Sequence, residues 1–149
     1  MFILVITGKK DTGKTSAITN VTKKIRNNSK NITDLLATTN GRKLNMNGGI
    51  PDCFEIIEKS NYKVGILSAG DIFDDFKSCI TDLLKSKPDI IICAARKYTT
   101  PSILDEIKAS HQLKSAEYID IEKEKLNTIK LIENRICNIL SANSYQSIL

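Results

Sequence analysis

Tryptophan is absent from this chain of 149 residues, histidine occurs once, and Phe and Tyr occur four times each. A surface that stacks on bases or reads a nucleic-acid groove interleaves aromatics or arginines among its lysines. Only Arg26, Arg42, Arg96 and Arg135 are present, so the basic balance disfavours nucleic acid as the partner. The four cysteines (53, 79, 93 and 137) form no C-x-x-C pair, and with His111 alone beside them a zinc site of usual spacing is disfavoured. The thiols are expected to be reduced and buried as small hydrophobes. Apolar runs are short: residues 2–6 are followed almost at once by Gly8-Lys9-Lys10, far below the roughly 18 residues of a spanning helix. No signal peptide, no membrane association and a cytoplasmic location are therefore expected.

What is present is ordinary soluble-domain composition, 41% apolar and 26% charged, enough for one domain with a complete core. The formal charge of +5 is uneven. Residues 1–43 hold 9 basic and 2 acidic side chains, and residues 44–149 hold 13 and 15. A phosphate-bearing small ligand near the N-terminal third accounts for that field.

Residues 2–6 read as a strand buried on both faces at the centre of a parallel sheet. From Thr12 to about Asn28, Ala17, Ile18, Val21 and Ile25 fall on one helical face. Residues 27–52 are rich in Asn, Ser, Thr and Gly and read mostly as loop, with 35–37 the one possible short strand. Two apolar runs, 54–58 and 62–67, are separated by Lys59-Ser60-Asn61 and suggest a hairpin. An amphipathic helix from Ile72 ends before Lys87-Pro88, residues 90–95 form another apolar strand, and Thr100-Pro101 opens a helix with Ile103, Leu104 and Ile107 inward. Residues 117–121 alternate like a strand, and Leu126, Ile129, Ile132, Ile136 and Ile139 mark a C-terminal helix. Strands alternating with helices predict an α/β fold in three layers, with a mainly parallel sheet and a β-hairpin insertion. Its ligands belong at the carboxyl ends of the strands, after Ile6, Leu67 and Ala95.

One segment carries chemistry. Gly8-Lys9-Lys10-Asp11-Thr12-Gly13-Lys14-Thr15 matches G-x-x-x-x-G-K-[ST] at every fixed position, after an expected strand and before an expected helix. Glycines let the backbone curl so that successive amides converge on phosphate oxygens, and the helix N-terminus adds about half a positive charge. Lys14 would reach the β- and γ-phosphates, and the Thr15 hydroxyl would ligate Mg²⁺. The plainer alternative is a glycine turn beside a surface lysine.

On this motif the sequence resembles the P-loop NTPase superfamily. The resemblance implies that Gly8, Lys9, Lys10, Asp11, Thr12, Gly13, Lys14, Thr15 and Ser16 hold ATP or GTP with Mg²⁺. It also implies an acidic residue at the end of another strand that holds the metal through water. Asp71, closing Gly65-Ile66-Leu67-Ser68-Ala69-Gly70-Asp71, is the candidate, and a helix N-cap is its alternative role. The strand at 90–95 ends without a carboxylate, so resemblance to AAA+ and RecA motors fails there. Neither Asn-Lys-x-Asp nor a D-x-x-G after a strand is found, which disfavours guanine-specific GTPases. Arg96 stands at that strand end instead, either stabilising charge on a transferring phosphoryl group or facing solvent. Lys9 and Lys10 would strengthen the field around a triphosphate. His111 follows a helix without a nucleophile or carboxylate at useful spacing and reads as serving the helix dipole. Charged residues from Lys123 to Arg135 read as a solvated face.

Three functions fit: a nucleoside triphosphate hydrolase or nucleotide-driven switch signalling to a protein partner through residues 38–50; a small-molecule kinase whose acceptor sits around residues 40–62; and a nucleotide-binding regulatory subunit without turnover. The segments Gly-Ile-Leu-Ser-Ala-Gly-Asp and Ile-Ile-Ile-Cys-Ala-Ala-Arg also resemble small stand-alone bacterial P-loop proteins, some of them similar to nucleotide kinases.

Overall fold

Consecutive apolar, β-branched residues bury both faces of a strand, and they do so twice here. The computed structural model describes residues 1–35, 53–68, 73–96, 107 and 113–149. In chain order these form β1 (Phe2–Thr7), α1 (Lys14–Arg26), β2 (Asn31–Asp34), β3 (Phe54–Lys59), β4 (Tyr62–Leu67), α2 (Phe73–Lys85), β5 (Ile90–Ala95), β6 (Ser115–Asp120) and α3 (Ile129–Ala142), with a closing 3₁₀ turn at Gln146–Ile148. Every residue of β1 and β5 is buried.

The fold class is α/β. The six described strands form one sheet in the order β2-β3-β4-β5-β1-β6. Strands β4, β5, β1 and β6 run parallel, with Thr7 opposite both Ala95 and Asp120. Strand β3 runs against them: it pairs antiparallel with both β2 and β4, so the sheet is mixed and not mainly parallel. The expected hairpin exists, but it is no insertion. Its arms are interior strands, because Phe54, Ile56 and Ile57 on one arm and Val64, Ile66 and Leu67 on the other bury apolar side chains on both faces. The hairpin turn lies at the edge opposite the end of β1, since β4 starts where its parallel neighbours start.

Strand β2 falls in the stretch read as loop, and it precedes the 35–37 segment expected as the possible strand. All four of its residues are exposed, so no burial alternation marks it. Main-chain pairing with β3, extended by Lys30 N–H to Glu58 O at 2.7 Å and Leu35 N–H to Phe54 O at 2.9 Å, makes it a strand.

Alternation along the strands feeds two cores. Phe2, Leu4 and Ile6 meet Ala17, Ile18, Val21 and Ile25 of α1 and Ile132, Ile136 and Ile139 of α3. Ile3 and Val5 point the other way, to Ile80 and Leu83 of α2 and to Ile107. The inward position of Ile107 matches the helix expected there; Ile103 and Leu104 lie outside the described residues, as does His111. Two polar ties fix α1. Asn20 Nδ2 donates to Glu133 Oε1 of α3 at 2.6 Å, and Arg26 makes a two-pronged contact with Glu55 of β3, Nε to Oε1 at 2.9 Å and Nη2 to Oε2 at 2.6 Å.

All four thiols are free. Cys53, Cys79 and Cys93 are buried as expected, whereas Cys137 is only half-buried on α3. Burial pushes the Cys93 thiol up to about 12 from its ordinary 9.0, and burial also raises Cys53. A thiol whose pKa rises on folding favours the folded state fully below the unfolded value, and that contribution fades as pH climbs through the folded one. Urea unfolding followed across pH 8 to 11.5 is therefore expected to show stability declining above about pH 9. Iodoacetamide at pH 8 should label Cys137 in the folded protein and Cys93 only after unfolding. Labelling of native Cys93 at the Cys137 rate would contradict this burial.

Candidate functional site

Where β1 ends, the chain turns back into a helix within seven residues, and two left-handed positions make that possible. Asp11 has φ 59° and Gly13 φ 85°. The second needs glycine for a further reason: a Cβ on Gly13 would lie 3.1 Å from Ile129 Cγ1 at the start of α3. A Cβ on the buried Gly8 would meet Thr12 Oγ1 at 3.0 Å and Ile121 Cβ at 3.3 Å. Gly13 is thus favoured by its positive φ and by close approach, and Gly8 by close approach alone.

The loop closes around its own lysine. Lys14, 8% exposed, donates from Nζ to Gly8 O at 2.9 Å, to Lys9 O at 2.5 Å and to Thr12 Oγ1 at 3.2 Å. Thr12 Oγ1 in turn donates to Lys9 O at 2.9 Å. The ammonium is held over the mouth of the loop at the first turn of α1, where the helix dipole is positive and repels it. First-turn amides have no intrahelical acceptors, and the N-cap residue of α1, Gly13, has no side chain to cap them. Helix α3 differs: Thr128 Oγ1 accepts from Leu131 N at 3.2 Å. A buried ammonium thus stands at the positive end of a helix, an arrangement that favours an anion.

Thr15, half-buried on the next position, donates from Oγ1 to Ser68 O at 3.1 Å. Ser68 is fully buried just past β4 and is clamped to Cys53, its N–H donating to Cys53 O and its Oγ accepting from Cys53 N, each at 2.9 Å. With its proton given to Ser68 O, the Thr15 oxygen keeps lone pairs that could accept a cation, while the described residues bring no cluster of three or more metal-ligating side chains together. Lys9, Lys10, Asp11 and Ser16 are exposed around this centre, and Thr12 and Gly13 half-buried. Arg96 leaves β5 one residue beyond the Thr7 and Ala95 pair, exposed and at the same sheet edge as the loop. Asp71 lies outside the described residues, as do residues 38–50.

No protein family model matches this sequence, and neither do any curated protein or solved structure.

Two residues of the site escaped the sequence reading. Ser68 carries no motif of its own; its position as the first residue after a buried strand on the loop's edge is the signal that could have found it. Glu122 adjoins the charged stretch read as solvated, yet its Oε1 accepts from Lys9 N at 2.7 Å and steadies the front of the loop. Beside it a pocket of about 470 Å³ opens between the loop and the turn that joins β6 to α3. That size falls within the roughly 300–1,000 Å³ of ligand sites. No described helix is long and apolar enough to cross a membrane.

Proposed function

We propose that this protein binds ATP or GTP with Mg²⁺ on residues 8–16 and works as a nucleoside triphosphate hydrolase or nucleotide-driven switch, on a three-layer fold of the P-loop kind. The observation that carries the reading is Lys14 at the start of α1, behind a glycine cap residue and held by the carbonyls of a curled loop. Helices on both faces of the sheet and a loop at the carboxyl end of a central parallel strand support the architecture. When nucleotide enters, the Lys14 ammonium exchanges the carbonyls of Gly8 and Lys9 for phosphate oxygens, and the amides of the loop and first turn donate to the same group. The Thr15 oxygen would hold Mg²⁺, which supplies neutralisation of charge between the β- and γ-phosphates. Arg96, at the same edge, is placed in this reading against charge on the transferring group. Asp71 keeps its proposed role on the metal's water.

The hydrolase reading is preferred to the kinase because the hairpin arms, offered as part of an acceptor site, are sheet strands whose turn faces the opposite edge. Phosphate release from ATP and GTP, measured without any acceptor, is expected to require Mg²⁺ and to fall at least about tenfold in Thr15→Ala. Nucleotide consumed only when a hydroxyl acceptor is added would replace hydrolase by kinase. Binding without release under either condition would leave the regulatory subunit.

A further inference from the structure

We infer that the pocket between the loop and the β6 to α3 turn is the seat of the nucleobase, and that Asn127 selects adenine there. This rests on the phosphate-loop reading above and adds the substrate class to it.

The pocket has an apolar floor of Ile121, Leu126 and Ile129 and a polar rim of Asp11, Thr12, Glu122, Lys125 and Asn127. Ile129 is a large apolar side chain left 41% exposed at the start of α3, and the cavity accounts for that exposure. Two carboxylates against the one ammonium of Lys125 leave the rim net negative, which disfavours phosphate and favours a neutral group that presents N–H donors. Flat apolar walls favour a ring system over a sugar.

The wall is built before any ligand arrives. Within the turn, Lys123 N donates to Asp120 Oδ1, Glu124 N to Asp120 O, Lys125 N to Glu122 O, Leu126 N to Ile121 O and Asn127 N to Lys125 O. With these amides consumed, side chains must do the reading. Asn127 is exposed, and its side-chain amide offers one donor and one acceptor side by side. Adenine presents the complementary pair at one edge, the N6 amino group and N7, which an asparagine engages with two hydrogen bonds. The second N6 proton is left for a rim carboxylate. Guanine places the O6 acceptor where that amino group would be, beside the same carboxylates, and uracil offers no amino group. Gly13 links this pocket to the loop, because a side chain there would drive into Ile129.

Calorimetric titration with inorganic tripolyphosphate, ATP and GTP, each with Mg²⁺, tests the proposal on the whole chain and on Asn127→Ala. ATP is expected to bind about tenfold more tightly than GTP, the discrimination of one bidentate base contact. Asn127→Ala should weaken ATP to the GTP level and leave tripolyphosphate unchanged, and Asn127→Gln should recover part of the ATP affinity. Equal affinity for ATP and tripolyphosphate, preference for GTP, or loss of tripolyphosphate binding in Asn127→Ala would overturn the base assignment while the loop stands. Uptake of none of the three by the unaltered chain would remove the loop reading itself, and this proposal with it.

Discussion

Replacing Lys14 by alanine is expected to lower nucleotide-dependent phosphate release by about 10²–10³-fold, the loss that follows removal of one preorganised donor from a site of developing negative charge. Lys14 suits that role because its ammonium is already oriented: it is 8% exposed and anchored to Gly8 O, Lys9 O and Thr12 Oγ1. Little reorganisation is needed for it to meet a phosphate that enters the same mouth. The fold should survive, since the carbonyls it leaves behind sit next to the exposed Lys9 and Lys10 and can be hydrated. Lys14→Arg is not a conservative repair. A planar guanidinium has neither the compactness nor the rotational freedom to fit between those carbonyls. Colorimetric phosphate release together with thermal melting checks both halves. A variant that melts like the original and retains full release would remove Lys14 from the chemistry.

The largest effect on stability is expected at the other end of α1. Arg26→Ala should cost about 2–3 kcal/mol, below the roughly 3–5 of a fully buried pair because the arginine side chain is 42% exposed. The loss comes from Glu55, which is 2% exposed on β3 and would keep a desolvated carboxylate with no guanidinium across from it. The hydrogen bond to Glu55 raises the already high pKa of Arg26, so the guanidinium stays charged. Removing both charges at once, in Arg26→Ala with Glu55→Leu, is expected to recover most of the stability, because an apolar replacement leaves nothing unpaired. Urea unfolding of the two single variants and the double one measures this coupling. Strictly additive losses would mean that the contact contributes nothing of its own.

Much of this was legible in the residues because burial and backbone curvature leave local marks. Strands β1 and β5 announced themselves as unbroken apolar runs, α1 by the spacing of Ala17, Ile18, Val21 and Ile25, and the loop by glycines at two positions where a side chain would crowd its neighbours. Strand β2 left no such mark: four exposed residues held by main-chain bonds to β3 look like a loop in any reading that relies on side chains. The same blindness turned a mixed sheet into a mainly parallel one. Alternating strands and helices imply crossovers, but nothing local states that β3 runs against β4 inside the sheet and not beside it. Ser68 and Glu122 were missed because each acts through a partner 53 or 113 residues away. Long-range pairing of that kind has no signature in a single sequence.

The central claim, that amides at the turn after β1 and the start of α1 converge on a polyphosphate, is tested most directly by following backbone amide resonances during titration with Mg·ATP. The largest shifts are expected at Asp11, Thr12, Gly13, Lys14, Thr15 and Ser16, saturating with the nucleotide and absent in Lys14→Ala. Amides of these six residues that stay fixed at saturating nucleotide, or that shift equally in the variant, would contradict the account.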